Sequence, residues 1–122
     1  MKWLNPLARS PKQLDGAAAE ERARAFLQAK GLVPVQANFR CKGGEIDLIM
    51  RDGEVLVFVE VRKRSGTGFG GAAASVTARK QARLILAAQL YLQRYRFPPA
   101  CRFDVIAIDA GEIDWLRNAF TA

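Results

Sequence analysis

Residues 43–64 read GGEIDLIMRDGEVLVFVEVRKR, and this segment determines the fold. Apolar and polar residues alternate on both sides of the Asp52-Gly53 dipeptide, a pattern typical of two β-strands joined by a two-residue turn. With that turn, the even-numbered side chains of 46–50 oppose the odd-numbered side chains of 55–59, and all of them are apolar. We expect this face to be buried, because a register shift of one residue would bury the other face instead.

The other face of the predicted hairpin carries acids, although the chain as a whole is basic. Glu45 opposes Glu60, and Asp47 is a diagonal neighbour of Glu60 at about 7–8 Å between backbones. Like charges that face each other across two strands destabilise the pair. Either the face is solvated and neutralised by cations such as Arg62 and Lys42, or the carboxylates hold a divalent cation. A set of oxygen ligands without His or Cys suits Mg²⁺ or Mn²⁺.

The charge of the chain favours a polyanionic partner. It has 122 residues, with 19 Lys and Arg against 12 Asp and Glu, so the formal net charge is +7. Nucleic acid is the first candidate partner and an anionic membrane surface the second, while a basic protein without such a partner stays open. No acid lies between Glu60 and Asp104, and the same span holds the cations Arg62, Lys63, Arg64, Arg79, Lys80, Arg83, Arg94, Arg96 and Arg102.

An acidic spot beside a cationic region is typical of a metal-dependent phosphodiesterase. The cations would hold the phosphate backbone, and the acids would hold the metal ion that activates water. A simple binding module needs the cations but has no use for the acids.

The composition excludes several classes of site. The chain has no histidine, which excludes Ser-His-Asp and Cys-His catalysis and His-ligated zinc. Cys41 and Cys101 have no metal-type spacing, so we expect a reduced pair in a cytoplasmic protein. No apolar run approaches the ~18 residues of a membrane-spanning helix, and we expect no signal peptide and no membrane partner.

The periodicities predict a single α/β domain over 15–122, after a flexible basic arm at 1–14. A mobile Gly-rich loop is expected at 65–75. The predicted order is αβββαββ, a mixed sheet with helices packed on it. The predicted elements are a helix at 16–30 with Asp15 as N-cap, a strand at 32–40, hairpin strands at 45–51 and 54–62, a helix at 77–94, and strands at 102–108 and 112–116.

Several separated motifs occur in one order along the chain. GEIDLI, FVEVR, GGAAASVTARKQ, CRFDVIAI and NAF together resemble the YraN family of small bacterial proteins, over about Gly16 to Phe120. That family is similar to archaeal Holliday-junction resolvases and to the wider restriction-endonuclease-like superfamily, whose site is written D…(D/E)-x-K. The resemblance implies a restriction-endonuclease-like core, with a central mixed sheet flanked by helices.

The resemblance also implies catalytic and metal-binding residues. The superfamily acids fall on Asp47 and Glu60 as metal ligands, and the acid on the first helix falls on Glu20. The lysine position falls on Arg62, which departs from the pattern. A solvent-facing role for Glu20, beside Glu21, remains open from spacing alone.

Other residues are assigned supporting roles. We expect Glu45 to support the acids and Asp104 to be structural. The residues expected to bind nucleic acid, with a plain solvated surface as the alternative, are Lys63, Arg64, Arg79, Lys80 and Arg83.

The leading interpretation is a Mg²⁺- or Mn²⁺-dependent DNA endonuclease that acts on branched or Holliday-junction-like DNA. A homodimer would suit an enzyme that cuts both sides of a junction. The competing interpretation is a catalytically silent protein on the same fold that binds nucleic acid or another partner. Arg62 favours the silent protein, whereas intact Asp47 and Glu60 favour the enzyme.

Overall fold

The computed structural model describes residues 11–64, 76–109 and 111–122, and within these ranges the chain forms two helices and a five-stranded sheet. The strands lie in the order β1-β2-β3-β4-β5, with β3 and β4 parallel and the other neighbours antiparallel. The elements are α1 (Pro11–Ala29), β1 (Val33–Cys41), β2 (Gly44–Asp52), β3 (Val55–Arg64), α2 (Ala78–Leu92), β4 (Cys101–Asp109) and β5 (Glu112–Phe120). The predicted α/β class and order αβββαββ are confirmed, and the arrangement is consistent with a restriction-endonuclease-like core.

The two helices cover opposite faces of the sheet. In α1, Ala19, Ala23 and Leu27 recur every four residues, are buried, and pack against one face of the central strands. In α2, the buried side chains of Leu84 and Tyr91, with two alanines between them, pack against the other face. The central strands are therefore apolar on both sides, which explains the nearly continuous apolar runs of β3 and β4.

The first helix begins earlier than predicted. It starts at Pro11, so Asp15 is a helical residue and not the N-cap. Proline is well tolerated in the first turn of a helix, because the N–H that it lacks has no intrahelical partner there. Residues 11–14, which were predicted as part of the arm, are helical. Residues 1–10 and the predicted loop at 65–75 lie outside the described residues.

The β2–β3 turn lies one position later than predicted. Asp52 pairs with Val55, so Gly53 and Glu54 form the two-residue loop and the predicted Asp52-Gly53 turn is wrong. Gly53 has φ of 61°, and Glu54 is not among the residues with positive φ. Positive φ at the first loop position alone matches a type II′ turn, which requires glycine there. The register changes by two residues, so the alternation of faces in β3 is kept.

One apolar residue of the hairpin lies on the opposite face from the prediction. Ile46 packs in the cluster under α2, whereas Leu48 and Met50 pack in the cluster under α1. The alternation of β2 is therefore broken at Asp47, between Ile46 and Leu48.

Strand β2 and helix α2 approach each other at Gly44. A Cβ atom on this residue would collide with the carbonyl oxygen of Arg83. The contact holds the N-terminal half of α2 next to the beginning of β2. No helix in the described ranges is long and apolar enough to cross a membrane.

Candidate active site

Asp47 and Glu60 lie side by side on the two central antiparallel strands. The β2–β3 register, continued by one pair beyond Leu48 and Val59, places Asp47 opposite Glu60 and not diagonal to it. Oδ2 of Asp47 accepts a hydrogen bond of 2.8 Å from the backbone N–H of Val61. The side chain of Glu60 is only 14% exposed. The backbone thus fixes the orientation of Asp47 beside a second, largely buried acid.

Asp47 and Glu60 influence each other's ionisation. Burial, followed by the charge of Asp47, raises the pKa of Glu60 to about 8. Burial also raises the pKa of Asp47, while the hydrogen bonds from Val61 and Glu60 oppose that rise. Because burial raises the pKa of both groups, and that of Glu60 to about 8, the pair retains a proton at neutral pH.

Glu20 of α1 lies near the same pair. Burial, and next the charge of Asp47, raises the pKa of Glu20. The Asn38 side chain hydrogen-bonds to Glu20 and opposes this rise, which identifies the Asn38 amide as the donor. The structure thus places Glu20 of the first helix near Asp47, where both line one cavity.

These acids open into a common cavity, which we call the acid pocket. Its volume is about 330 Å³. It is lined by Gly16, Ala19, Glu20, Glu45, Asp47, Glu60, Val61, Arg62, Lys63 and Lys80. All four acids that the sequence analysis placed at or beside the site contribute to this cavity.

Arg62 lies at the edge of the two buried acids. Its Nη1 atom is 3.4 Å from Oε2 of Glu60. Its positive charge favours the ionised forms of both Glu60 and Asp47, although burial outweighs this effect. The position that departs from the superfamily lysine therefore still supplies a cation next to the acids.

A second cavity, the basic pocket, adjoins the first. It also has a volume of about 330 Å³ and is lined by Glu45, Glu60, Thr77, Arg79, Lys80 and Arg83. Thr77 caps α2, and its Oγ1 atom accepts a hydrogen bond of 3.2 Å from the N–H of Lys80. The cap fixes the first turn of α2, so the backbone of its basic residues is held at the mouth of this pocket.

The predicted nucleic-acid-binding residues divide between the two cavities. Lys63 lines the acid pocket, and Lys80 lines both. Arg79 and Arg83 line the basic pocket and are exposed. Arg64 ends β3, and its side chain lies outside the described residues.

The ligand chemistry of the acid pocket fits a hard divalent cation, without forming a closed cage. In the described ranges, no three Asp, Glu, Cys or His side chains converge on a point where they would hold a metal ion. Asp47 and Glu60 nevertheless offer oxygen atoms at facing positions, where burial favours a retained proton. A Mg²⁺ or Mn²⁺ ion could replace this proton and offset the two buried charges.

Comparison with known proteins identifies the family. The sequence model of the uncharacterised protein family UPF0102 matches residues 19–108. This chain belongs to UPF0102, the YraN family.

Close relatives cover nearly the whole chain. A UPF0102 protein of Herminiimonas arsenicoxydans is 62% identical over 91% of this chain and 90% of its own length. One from Janthinobacterium sp. (strain Marseille) is 62% identical over 98% of this chain and 96% of its own. One from Aeromonas hydrophila is 52% identical over 98% and 92%. The family suggested by the sequence motifs is therefore confirmed.

Two other acids of this UPF0102 chain are paired with arginine. Oε2 of Glu45 is 3.6 Å from Nε of Arg40, and Glu45 is exposed at the rim of both pockets. Asp104 is fully buried and accepts hydrogen bonds from Arg102 and Trp115 at 3.0 and 2.9 Å. Its contacts are consistent with the structural role expected for it.

Sequence reasoning missed two groups that hydrogen-bond to acids of the acid pocket in this UPF0102 member, the Val61 N–H to Asp47 and the Asn38 side chain to Glu20. The Val61 N–H is a backbone donor, and no sequence pattern identifies it. Asn38 has φ of 54° within β1, which is unusual for a residue other than glycine. The sequence feature that could have indicated this conformation is the asparagine within a predicted strand. Asparagine adopts positive φ more readily than most residues do.

Proposed function

We propose that this protein is a divalent-cation-dependent DNA endonuclease whose active site is the acid pocket. The observation that carries the proposal is the junction of the two cavities, which share Glu45, Glu60 and Lys80. A phosphate held by the cations of the basic pocket would lie beside the buried carboxylates. A phosphodiesterase requires both groups at one place.

Asp47 and Glu60 would hold Mg²⁺ or Mn²⁺, with Glu20 contributing directly or through water. A bound divalent cation lowers the pKa of water and offsets negative charge on the phosphate oxygens. The Val61 N–H keeps one Asp47 oxygen in a fixed direction. Because that oxygen is fixed, the ligand geometry depends less on side-chain motion.

The basic pocket would position the phosphodiester backbone. Arg79 and Arg83 lie one helical turn apart on α2, so they can contact successive phosphates. Lys80 lies between the two cavities, where its charge also favours ionised Glu60. Contacts of this kind give affinity and orientation but carry no base information.

Arg62 would stabilise charge on the reacting phosphate. A lysine at this position could lose its proton and act as a base, whereas arginine remains charged in proteins. The guanidinium can donate two parallel hydrogen bonds to phosphate oxygens. In this proposal Arg62 therefore binds the transition state and does not accept a proton.

The finer points of the proposal rest on the resemblance to Holliday-junction resolvases. They are branched DNA as the substrate, a homodimer as the cutting unit and the cytoplasm as the location. Two-sided cutting of a junction requires two active sites, and a symmetric dimer supplies them.

The competing function is a nucleic-acid-binding protein without catalysis. Two observations favour it: Arg62 replaces the superfamily lysine, and Asp47 and Glu60 can neutralise each other with a shared proton. Such a protein would keep the basic pocket and have no need of a cation.

One assay separates these functions. Purified protein is incubated with four-way-junction, flap, single-stranded and duplex DNA in Mg²⁺, Mn²⁺ or a chelator. The proposal predicts cleavage of at least one branched substrate with either cation and none with the chelator. Binding to all four DNAs without cleavage would establish the silent protein instead.

A further inference from the structure

Asn38 lies within β1, directly beside Asp47. The pairs Ala37–Leu48 and Phe39–Ile46 flank it, and their register would place Asn38 opposite Asp47. At this point Asn38 adopts a left-handed conformation with φ of 54°. Most side chains avoid this region, because Cβ approaches the backbone too closely there.

The left-handed residue Asn38 lies opposite the change of face in β2. Ile46 packs under α2 and Leu48 under α1, although alternation would place both on one face. The irregular residue of β1 and the irregular residue of β2 are thus register neighbours. The β1–β2 register is the same on both sides of this point, since its shift lies between Pro34 and Gln36, so the irregularity here is one of side-chain direction and of the Asn38 backbone conformation.

The side chain of Asn38 connects this point to α1. It donates a hydrogen bond to Glu20, and both residues line a hollow of about 190 Å³. Glu20 also lines the acid pocket together with Asp47. Asp47 and Glu45 repel Glu20 electrostatically, so a neutral donor on the strand is suited to retain its carboxylate near the pocket.

We propose that Asn38 is a positioning residue that holds Glu20 toward Asp47 and thereby sets the divalent-cation affinity of the acid pocket. This inference rests on the proposed function, since it concerns the same pocket. Asn38 itself does not touch the cation or the substrate. It acts through the orientation of Glu20.

Two matched variants distinguish the effect of the Asn38 side chain from the effect of its backbone conformation. Glycine adopts positive φ without strain, so Asn38→Gly keeps the kink and removes only the amide. Asn118 is the other non-glycine residue with positive φ in the described ranges, at 50°, and it lies in β5. Asn118→Gly is therefore the control for the general effect of glycine at such a position.

The experiment measures Mn²⁺ affinity of the full chain by competition with a fluorescent chelator, and Tm in excess chelator. We expect Asn38→Gly to bind Mn²⁺ about 10–100-fold more weakly than wild type, as for other residues that support metal ligands. Asn118→Gly should keep the wild-type affinity. Both variants should show similar small changes in Tm, because neither conformation is strained by glycine.

A double-variant cycle tests whether Asn38 acts through Glu20. In the Glu20→Gln background, the further change Asn38→Gly should have no effect on Mn²⁺ affinity. Equal Mn²⁺ affinities for wild type and Asn38→Gly would overturn this inference without affecting the proposed function. The same holds if Asn38→Gly weakens Mn²⁺ binding as much in the Glu20→Gln background as in the wild-type chain. A wild-type chain that binds no Mn²⁺ would overturn the proposed function together with it.

Discussion

Glu60 lies opposite Asp47 across the β2–β3 pair, and desolvation by burial is the first cause of the raised pKa of each group. A buried pair of carboxyl groups cannot readily hold two negative charges, so it retains a proton or takes up a cation. This relationship connects the stability of the protein, its pH dependence and its proposed chemistry.

The first prediction concerns stability and pH. The folded-state pKa of Glu60 is about 8 and its ordinary value is 4.5, so the folded chain binds this proton more tightly than the unfolded chain does. Stability contributed by the proton is fully present below about pH 4.5 and is lost as the pH rises through 8. We expect Tm, measured in chelator, to fall by several degrees between pH 5 and 9, since 1 kcal/mol corresponds to roughly 4 °C.

Glu60→Gln should remove most of that fall, because glutamine carries no proton to lose. Glu54→Gln, at an exposed position of the hairpin loop, serves as the control and should keep the wild-type slope. Identical slopes for wild type and Glu60→Gln would show that Glu60 is not the group that titrates. Added Mn²⁺ should raise Tm more at pH 9 than at pH 6, since metal ligands must be deprotonated.

The second prediction concerns the contact of β2 with α2. Gly44→Ala should lower the free energy of unfolding by about 1–3 kcal/mol, because its Cβ has no room against the Arg83 carbonyl. Gly16→Ala is the matched control, since a Cβ there meets no atom within 4 Å. Alanine in α1 should be neutral or stabilise the helix by up to ~1 kcal/mol. Urea unfolding of both variants checks this, and equal values would contradict the close approach.

The third prediction concerns the basic pocket. With about five phosphate contacts, we expect the log–log slope of DNA affinity against salt to be near −4 to −5. Changing both Lys80 and Arg83 to alanine should reduce its magnitude by about 2, at roughly 0.9 per lost contact. Arg51→Ala, an exposed cation at the other end of β2, should leave the slope unchanged. Fluorescence anisotropy across a salt series measures these slopes. If every substituted cation reduced the magnitude of the slope equally, DNA binding would be spread over the whole basic surface.

The features of this site that follow from residues close together in the sequence could be predicted, whereas those that depend on distant residues could not. The alternation of β2 and β3 was sufficient to place Asp47 and Glu60 together, because a period of two assigns side chains to faces. It did not determine the register, because Gly53 can occupy either loop position. In the type II′ turn that forms, glycine comes first and brings Asp47 directly opposite Glu60.

Features that depend on tertiary contacts could not be predicted from patterns. Ile46 and Leu48 read as one face, but Ile46 packs under α2 and Leu48 under α1. The position of Glu20 near Asp47 came from the resemblance, since its spacing on α1 equally allowed a solvent-facing side chain. The fold was therefore more accessible from the sequence than the supporting contacts of its acid pocket.

The fourth prediction concerns Arg62. Arg62→Lys should keep at least partial cleavage activity, because the charge remains in place. Arg62→Ala should lose about 10²–10³-fold in cleavage rate, as expected for removal of one charged donor to the transition state. It should bind DNA only slightly less well. Single-turnover rates of junction cleavage across pH measure both effects.

Two results would revise the assignment of Arg62. Wild-type rates for Arg62→Ala would make it an ordinary surface cation. A silent wild type with an active Arg62→Lys would show that the natural protein has lost catalysis and only binds.

The fifth prediction concerns the acid pair, and it tests the central claim most directly. The measurement is single-turnover, Mn²⁺-dependent cleavage of a four-way junction by wild type and by Asp47→Asn, with DNA affinity measured in parallel. Asp114→Asn, an exposed acid on β5, controls for the removal of one negative charge. We predict that wild type and Asp114→Asn cleave the junction, and that Asp47→Asn does not cleave it but binds it equally or more tightly. Cleavage by Asp47→Asn at the wild-type rate would contradict the assignment of the acid pocket as the active site.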